Sequence, residues 1–244
     1  MTAIILAAGV GKRLHAASGG RPKCLIPIGG KTLLARLLEG LAAAGVRDAV
    51  VVTGFGDADV RAAVGDGPAG ISVRFALNPR FREGAILSLW TARDVLDGPA
   101  LVMDADVLCG ADTIARLVGS PHPNAFLLDA SITPTGEEQM LLVEGGRVRN
   151  IVRGGLPGFE LAGESVGFLK LDADAARVLA RLLDARVAAG HTGIEHEEVY
   201  PELLAAVVVG YERIDGVPWT EIDFPEDVAR AEREVLPRIV AGPR

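Results

Sequence analysis

Cysteine is nearly absent from this chain of 244 residues, which contains only Cys24 and Cys109. The two thiols have neither a CxxC spacing nor histidine partners, which argues against a disulfide framework or a cysteine-based zinc site and fits a reducing compartment. Long hydrophobic segments are also absent: no run of 18 apolar residues occurs, and no basic and apolar leader follows Met1. We therefore expect a cytoplasmic protein that neither spans a membrane nor is exported.

Positive charge and aromatic residues are scarce as well. The chain carries a net charge of −7, which would repel a nucleic acid. The four histidines show no Ser-His-Asp or zinc-binding pattern, and aromatic residues make up only 5% of the sequence. This low aromatic content makes a cage for a quaternary ammonium group difficult to build. Small anionic substrates stay compatible with the charge, because cations placed at a site override the average field.

Apolar residues form 49% of the chain, enough to bury a full core. Strand-like runs alternate with helix-like stretches, which predicts an α/β fold with a mostly parallel central sheet flanked by helices. The predicted strands are 49–53, 72–77, 100–103 and 125–130, and the predicted helices are 32–44, 57–64, 85–95 and 111–118. Segments 140–144 and 147–151 flank Gly145-Gly146, which predicts a hairpin and hence a mixed sheet. We expect a single domain over residues 1–244.

A glycine-rich basic loop, ILAAGVGKRL, follows the first strand. Its glycines, Gly9 and Gly11, let backbone N–H groups approach an anion, and cations beside them can neutralise a polyphosphate. The loop fits neither common template, because a dinucleotide fingerprint needs glycine in place of Leu14 and a Walker loop needs serine or threonine in place of Arg13. The segment RPKCLIPIGGKTLLAR adds Lys23 on a path constrained by prolines. Together these elements indicate a nucleoside triphosphate.

Acidic residues follow an apolar strand in the sequence ALVMDADV. Strand alternation would place Asp104 and Asp106 on one side at the carboxyl edge of the sheet, where open α/β folds bind ligands. Carboxylates at this edge suit Mg²⁺, while the alternative is that one of them caps the following turn. A second acidic segment, WTEIDFPED, contains Asp223. Its alternative role is to cap the last helix together with Pro225 and Glu226.

The two amino-terminal segments resemble the signature of nucleotidyltransferases of the sugar-phosphate and phosphocholine type, LAAGxGxRL followed by PKxLxPxxGxPLL. The resemblance covers nearly the whole chain and implies a Rossmann-like domain of the glycosyltransferase A type. It implies that Arg13 holds the β and γ phosphates and that Lys23 meets the α phosphate and the acceptor, so both are catalytic candidates. It also implies that Asp106 and Asp223 are metal ligands. Lys12 is expected to face solvent.

The same resemblance implies a nucleotide-binding role for a larger set of residues. The segment after the second long strand falls where relatives line the base, and residues 78–88 resemble a stretch that closes over it. The expected nucleotide-binding residues are Leu6, Ala7, Ala8, Gly9, Gly11, Arg13, Lys23, Thr53, Gly54, Asn78, Ser88 and Asp104.

Candidates for acceptor binding come from three segments. Arg153 falls where relatives carry a lysine that touches the acceptor's phosphate, and its alternative is a solvated arginine. The segment IEHEEVYP, with Glu197 and Glu198, resembles one that reaches the acceptor pocket in phosphocholine and aminophosphonate cytidylyltransferases, and its carboxylates suit a cationic amine. The alternative for these glutamates is a first helical turn that complements the helix dipole. Glu221 is the remaining candidate.

The sequence thus predicts a Mg²⁺-dependent nucleotidyltransferase. The segments DADVL, SLWTA and WTEIDFPEDVARAE resemble cytidylyltransferases of small phospho-alcohols, which favours CTP. The acceptor would be phosphocholine, an aminoalkylphosphonate or a polyol phosphate, whose oxygen displaces pyrophosphate without a protein nucleophile. Two alternatives stay open: a sugar-1-phosphate nucleotidylyltransferase using UTP, dTTP or GTP, and a non-catalytic nucleotide-binding regulatory domain. A homodimer is compatible with the sequence, whereas nucleic acid and membrane are not expected partners.

Overall fold

The computed structural model describes residues 1–11, 13–14, 19–68 and 70–242. Lys12, whose side chain is expected to face solvent, therefore lies outside the described residues. The first part of the chain alternates strands and helices. Its elements are β1 (Thr2–Leu6), β2 (Pro27–Ile28), β3 (Lys31–Thr32), α1 (Leu33–Ala43), β4 (Asp48–Thr53), α2 (Asp57–Val64), β5 (Ser72–Leu77), α3 (Ile86–Thr91), β6 (Ala100–Asp104), β7 (Val107–Cys109) and α4 (Ala111–Val118).

The second part begins with strands and ends in helices. Its elements are β8 (Ala125–Asp129), β9 (Gln139–Glu144), β10 (Arg147–Arg153), β11 (Leu161–Leu171), α5 (Ala173–Ala188), α6 (Tyr200–Ala206), β12 (Gly210–Arg213), β13 (Trp219–Glu221), α7 (Pro225–Arg230) and α8 (Leu236–Ala241). Short 3₁₀ helices lie at Lys23–Leu25, Arg93–Asp97 and His196–Val199, and a π-helical turn, Ala231–Val235, joins the last two helices.

A mixed central sheet runs in the order β10-β9-β11-β6-β1-β4-β5, with β8 paired to β11 and β12 paired to β8. β1 runs parallel to β4 and β6, and β5 extends this half in parallel. β11 is antiparallel to β6, β8 and β9, so this half of the sheet is mixed. The predicted α/β class with a mixed sheet is therefore confirmed.

The sheet is covered by helices on both faces because the side chains of its central strands alternate and are apolar on both sides. Ile4 of β1 is fully buried in a cluster that includes residues of α3, α5 and α6. The next residue, Ile5, is fully buried in a second cluster with residues of α1, α2 and α4. Strands buried on both faces are the expected result when helical crossovers join parallel strands.

A third, smaller apolar cluster lies beside the sheet and connects distant parts of the chain. It joins Leu14 and Ile26 from the amino-terminal loops, Leu108 of β7, Ile222 after β13 and Val235 of the carboxyl-terminal helices. Ile26 lies shortly after Lys23, and Ile222 directly precedes Asp223. The cluster therefore fixes the positions of these two polar residues.

Two local details test the sequence patterns. Gly145 and Gly146 have φ values of 60° and 70°, as a tight two-residue hairpin turn requires, and they connect β9 and β10 as predicted. The predicted helix 85–95 instead ends at Thr91 and continues as the 3₁₀ helix Arg93–Asp97. The tightening begins at Ala92, whose N–H donates to the carbonyl of Leu89 three residues earlier.

The two cysteines do not form a disulfide bond. Cys24 and Cys109 are buried free thiols. Burial raises the pKa of both to about 12, so neither is a reactive thiolate near neutral pH. Within the described ranges, no helix combines the length and apolar character that crossing a membrane would require.

Candidate active site

Two adjoining cavities, each about 450 Å³, open at the carboxyl ends of β1 and β6. The loop cavity is lined by residues 6–11 together with Phe81, Arg82 and Ser88, among others. The hairpin cavity is lined by residues 137–139 and 164–167 together with Arg153, among others. The wall between them consists of residues that line both, namely Gly11, Lys23, Asp104, Glu195, Glu197 and Glu221.

The glycine loop is held against the sheet edge by backbone hydrogen bonds. Leu6 is in register with Asp104 across β1 and β6, and the N–H of Ala7 donates to the carbonyl of Val52. Gly11 has a φ of 59°, and a Cβ there would lie 3.2 Å from the Cβ of Lys23. Glycine at this position therefore allows the loop to turn and Lys23 to pass beneath it.

Lys23 lies in an ion cluster on the wall shared by the two cavities. Its Nζ is 2.6 Å from Asp106 Oδ2, 2.5 Å from Asp223 Oδ1 and 4.0 Å from Glu221 Oε1, and only 14% of its side chain is exposed. Burial alone would lower the pKa of Lys23, but the charges of Asp106, Glu221 and Asp223 outweigh burial and raise it. The lysine is therefore a charged ammonium group near neutral pH.

Backbone pairing brings these acids together although they are distant in sequence. β13 is antiparallel to β7, with Glu221 opposite Val107, and the N–H of Ile222 donates to the carbonyl of Asp106 at 3.1 Å. These bonds bring Glu221 and Asp223 beside Asp106. Asp223 does not cap α7, the helix that follows it. The carboxylate of Asp227 instead accepts hydrogen bonds from the N–H groups of Asp223 and Phe224. The alternative capping role of Asp223 is therefore wrong.

The carboxylates of Asp106, Glu221 and Asp223 form a group that could hold a metal ion. Oδ1 of Asp106 is buried and has no hydrogen-bond partner among the described residues. Buried oxygens of this kind are normally satisfied, which leaves this one available to a ligand. Burial, together with Asp106 and Asp223, raises the pKa of Glu221 to about 8. A set of hard, crowded carboxylate oxygens fits a divalent cation such as Mg²⁺.

Asp104 belongs to a different group of side chains from Asp106. β6 ends at Asp104, so strand alternation does not extend to Asp106, which lies in the following turn, although both residues line the loop cavity. Asp104 Oδ1 is 3.7 Å from His196 Nε2, and His196 Nδ1 is 3.1 Å from Glu197 Oε2. Burial, followed by the charges of Glu197 and Asp106, raises the pKa of Asp104 well above its usual range.

Three of the expected nucleotide-binding residues are placed behind the cavities and do not line either one. Thr53 is fully buried and its hydroxyl donates to Asp57, while Asn78 is buried and its amide donates to Ser88. A Cβ on Gly54 would lie 2.6 Å from the Cβ of Phe81, so this glycine makes room for Phe81. These residues support the wall. The other members of the expected set line the cavities: Leu6, Ala7, Ala8, Gly9, Gly11, Arg13, Lys23, Ser88 and Asp104.

Arg13 and Phe224 both line the hairpin cavity, with the Arg13 guanidinium 5.0 Å from the centroid of the Phe224 ring. Arg13 is exposed. Arg153 also lines the cavity, and its guanidinium donates to the carboxylate and carbonyl of Glu137. Glu198 lines neither cavity, because its carboxylate accepts the N–H of Glu195 and caps the 3₁₀ helix, whereas Glu197 lines both.

Acidic side chains dominate the hairpin cavity beyond what the sequence indicated. Glu138 accepts hydrogen bonds from Thr135 and Gly136, which overcome the effect of burial and lower its pKa to about 2. Burial and the charges of Glu138 and Asp129 raise the pKa of Glu164 to about 7. The cavity residues that the sequence patterns did not indicate include Glu137, Glu138, Gln139 and Glu164.

The chain belongs to the family of MobA-like NTP transferase domains, whose model matches residues 3–206. The family that the sequence motifs resemble is thereby confirmed. The matched range includes Lys23 and Asp106 but ends before Glu221 and Asp223, whose position beside Asp106 is seen in the structure. One solved structure that this chain resembles is the CTP:phosphocholine cytidylyltransferase from Streptococcus pneumoniae, with a TM-score of 0.76 at 22% identity over 95% of this chain and 97% of that chain. This likeness confirms the fold.

Two curated relatives are similar to this chain. One is a CMP-5'-(3-aminopropyl)phosphonate synthase of Streptomyces rubellomurinus, 33% identical over 133 residues, which are 54% of this chain and 21% of the relative. Another is a mannose-1-phosphate guanylyltransferase of Mycobacterium tuberculosis, 28% identical over 99% of this chain and 66% of the relative. The chain thus spans less than two thirds of the length of these relatives.

Proposed function

We propose that this protein is a Mg²⁺-dependent nucleotidyltransferase that transfers CMP from CTP to a small acceptor bearing a phosphate or phosphonate. The observation that carries the proposal is the convergence of Lys23, Asp106 and Asp223 beside the glycine loop. A nucleoside triphosphate needs cations and a metal site next to backbone donors, and these three components meet at one sheet edge.

In the reaction, an oxygen of the acceptor's phosphate or phosphonate attacks the α-phosphorus of the nucleotide. A new P–O bond forms, the bond from the α-phosphorus to its bridging oxygen breaks, and pyrophosphate leaves with that electron pair. The attacking oxygen is already an anion, so no protein nucleophile is required. Asp106 and Asp223 would hold Mg²⁺, which when bound offsets the charge of the phosphate oxygens.

The cations of the chain orient the triphosphate. Lys23 lies on the wall shared by both cavities, where it can donate to an oxygen of the α-phosphate as charge develops. Arg13, which is exposed and lines the hairpin cavity, would hold the β and γ phosphates through its planar fork. The backbone N–H groups of residues 9–11 are candidates for further phosphate contacts, because glycine at two of these positions leaves the backbone accessible.

Within the proposed function, we favour an acceptor that carries a primary amine, such as an aminoalkylphosphonate. Glu138, Glu164 and Glu195 line the hairpin cavity, where Phe224 is the only aromatic residue among the described lining residues. Carboxylates satisfy the N–H donors of a primary ammonium group, whereas a quaternary ammonium group would need an aromatic cage. Arg153 would then meet the acceptor's phosphate or phosphonate group.

Two alternatives differ from this function, one in the acceptor and the other in the absence of turnover. A sugar-1-phosphate nucleotidylyltransferase is a second candidate, because the curated mannose-1-phosphate guanylyltransferase aligns with 99% of the chain. A nucleotide-binding regulatory domain would bind nucleotide without turnover. The carboxylates of Asp106, Glu221 and Asp223 argue against such a domain, because binding alone does not require a metal site of this kind.

One assay separates the three functions. Pyrophosphate release is measured with Mg²⁺ and CTP, UTP, dTTP or GTP, each combined with aminoethylphosphonate, phosphocholine, glycerol phosphate or mannose-1-phosphate. We expect release with CTP and the primary amine acceptor, and a loss of about 10²-fold or more in Lys23→Ala and Asp106→Asn. Release only with a sugar phosphate would establish the second candidate, and nucleotide binding without release from any pair would establish the regulatory domain.

A further inference from the structure

Lys23 occupies the carboxylates that would also serve the metal. Its Nζ is within hydrogen-bond distance of Asp106 Oδ2 and Asp223 Oδ1, which belong to two of the three carboxylates of the candidate metal group, and it is 4.0 Å from Glu221 Oε1. The side chain is 14% exposed, so water does little to screen its charge. The ammonium group is therefore the resident counter-ion of this cluster.

A divalent cation bound to these two oxygens would lie close to the ammonium group of Lys23. Nζ lies 2.5 and 2.6 Å from them, and Mg²⁺ would bind the same atoms at about 2.0–2.1 Å. The two positive groups would then be close neighbours, at a place where burial weakens solvent screening and strengthens their repulsion. This repulsion opposes simultaneous binding and favours release of Lys23 from Asp106 and Asp223 when these oxygens take the metal.

We propose that Lys23 competes with the divalent cation for Asp106 and Asp223, and that the triphosphate releases the lysine by offering it phosphate oxygens. Lys23 would exchange carboxylate partners for phosphate partners, so metal and nucleotide would each favour binding of the other. The free protein would bind metal weakly and accept it together with the triphosphate. This inference rests on the proposed function, because it assigns the metal and the triphosphate to one site.

A different arrangement is physically available and gives the opposite result. The metal could use Asp106 Oδ1, which is buried without a partner among the described residues, while Lys23 keeps Oδ2. In that case the lysine would position Asp106 for the metal, and its removal would weaken metal binding. The effect of Lys23 on metal affinity in the absence of nucleotide therefore distinguishes competition from support.

The test is a titration of the nucleotide-free protein with Mn²⁺, followed by calorimetry and by the electron paramagnetic resonance signal of free Mn²⁺. We expect Lys23→Met to bind Mn²⁺ at least about tenfold more tightly than the wild type, because the competing charge is gone. Lys23→Arg, which keeps a cation, should bind Mn²⁺ as weakly as the wild type. Lys31→Met, which removes a lysine paired with Glu39 on the surface, should leave the affinity unchanged. Equal or weaker Mn²⁺ binding by Lys23→Met would overturn the proposal.

Folding of the variant provides an independent readout. Without Lys23, three neighbouring carboxylates lose their counter-ion, and the variant could unfold in EDTA. Under the proposal Mn²⁺ replaces that charge, so added Mn²⁺ should raise the melting temperature of Lys23→Met more than that of the wild type. A variant whose folding does not respond to Mn²⁺ contradicts competition. Both readouts omit the acceptor, so a negative pyrophosphate assay would not affect them.

Discussion

At the scale of single residues, Gly167 lies directly against Asp104 of the candidate site. It lies on β11 where the register with β8 shifts between Ser165 and Leu169, and its φ is 79°. A Cβ at Gly167 would lie 2.5 Å from Asp104 Oδ2. Glycine is therefore required here for two reasons, the left-handed backbone and the space taken by the Asp104 carboxylate.

Gly167→Ala should consequently reduce turnover because the added methyl group displaces Asp104 from the wall shared by the two cavities. Gly146→Ala is the matched control, since Gly146 has a φ of 70° but a Cβ there would have no neighbouring atom within 4 Å among the described residues. Both variants should lose about 1 kcal/mol of unfolding free energy from backbone strain, measured by urea denaturation. Only Gly167→Ala should also lose pyrophosphate release. Equal activity of the two variants would show that the contact with Asp104 is unimportant.

The site residues that could be found from sequence are those that lie in contiguous motifs. Lys23 follows Pro22, and Asp106 comes shortly after β6, each within a recognisable segment. The structure brings both to the cavities. Glu138 and Glu164 lie on or beside antiparallel strands without a motif, and only the pairing of β9 with β11 shows that they are close. Thr53 was expected at the nucleotide because of its position, but its side chain is turned into the interior.

At the scale of secondary-structure elements, the start of α7 determines where Asp223 lies. Oδ2 of Asp227 accepts hydrogen bonds from the N–H groups of Asp223 and Phe224, at 3.0 and 2.8 Å. The cap therefore ties the backbone of Asp223 to the helix. The sequence pattern offered Asp223 as a capping residue only as the alternative to metal binding, and the structure gives the capping hydrogen bonds to Asp227 instead.

We expect Asp227→Ala to lose about 1 kcal/mol of unfolding free energy and, in addition, to lower turnover because Asp223 becomes less well positioned. Asp172→Ala provides the comparison, since Asp172 caps α5 by accepting the N–H of Ala175 and lines neither cavity. It should show a similar loss of stability with normal turnover. If both variants kept full pyrophosphate release at a temperature where they are folded, the cap would have no role in positioning Asp223.

Secondary structure was largely predictable because the apolar residues follow the required periods. β5, α2 and α4 have the bounds that the sequence pattern indicated. The long helix expected at 85–95 was not found, because periodicity does not reveal where a helix tightens into 3₁₀ geometry. The two-stranded pairing of β7 with β13 was also not predicted, since no local pattern relates residues more than a hundred positions apart.

At the scale of the whole molecule, the candidate site depends on segments that meet only in the folded chain. Lys23 lies 83 residues from Asp106 and 200 residues from Asp223. The third apolar cluster joins the same distant segments through Ile26, Leu108 and Ile222. Formation of the metal group and formation of the fold are therefore coupled. This coupling adds a physical reason to expect one domain over residues 1–244, beside the length and apolar content of the chain.

Thermal unfolding tests that expectation. We expect one cooperative transition, which Mg²⁺ and CTP at about 100 times their dissociation constant stabilise by about 2.7 kcal/mol, or roughly 5–10 °C. Asp106→Asn should unfold in one transition but lose most of this shift, because it lacks a carboxylate of the metal group. Asp97→Asn, on an exposed aspartate near Arg177, should keep it. Two transitions, with only one shifted by the ligands, would instead mean that the site belongs to an independently folding part of the chain.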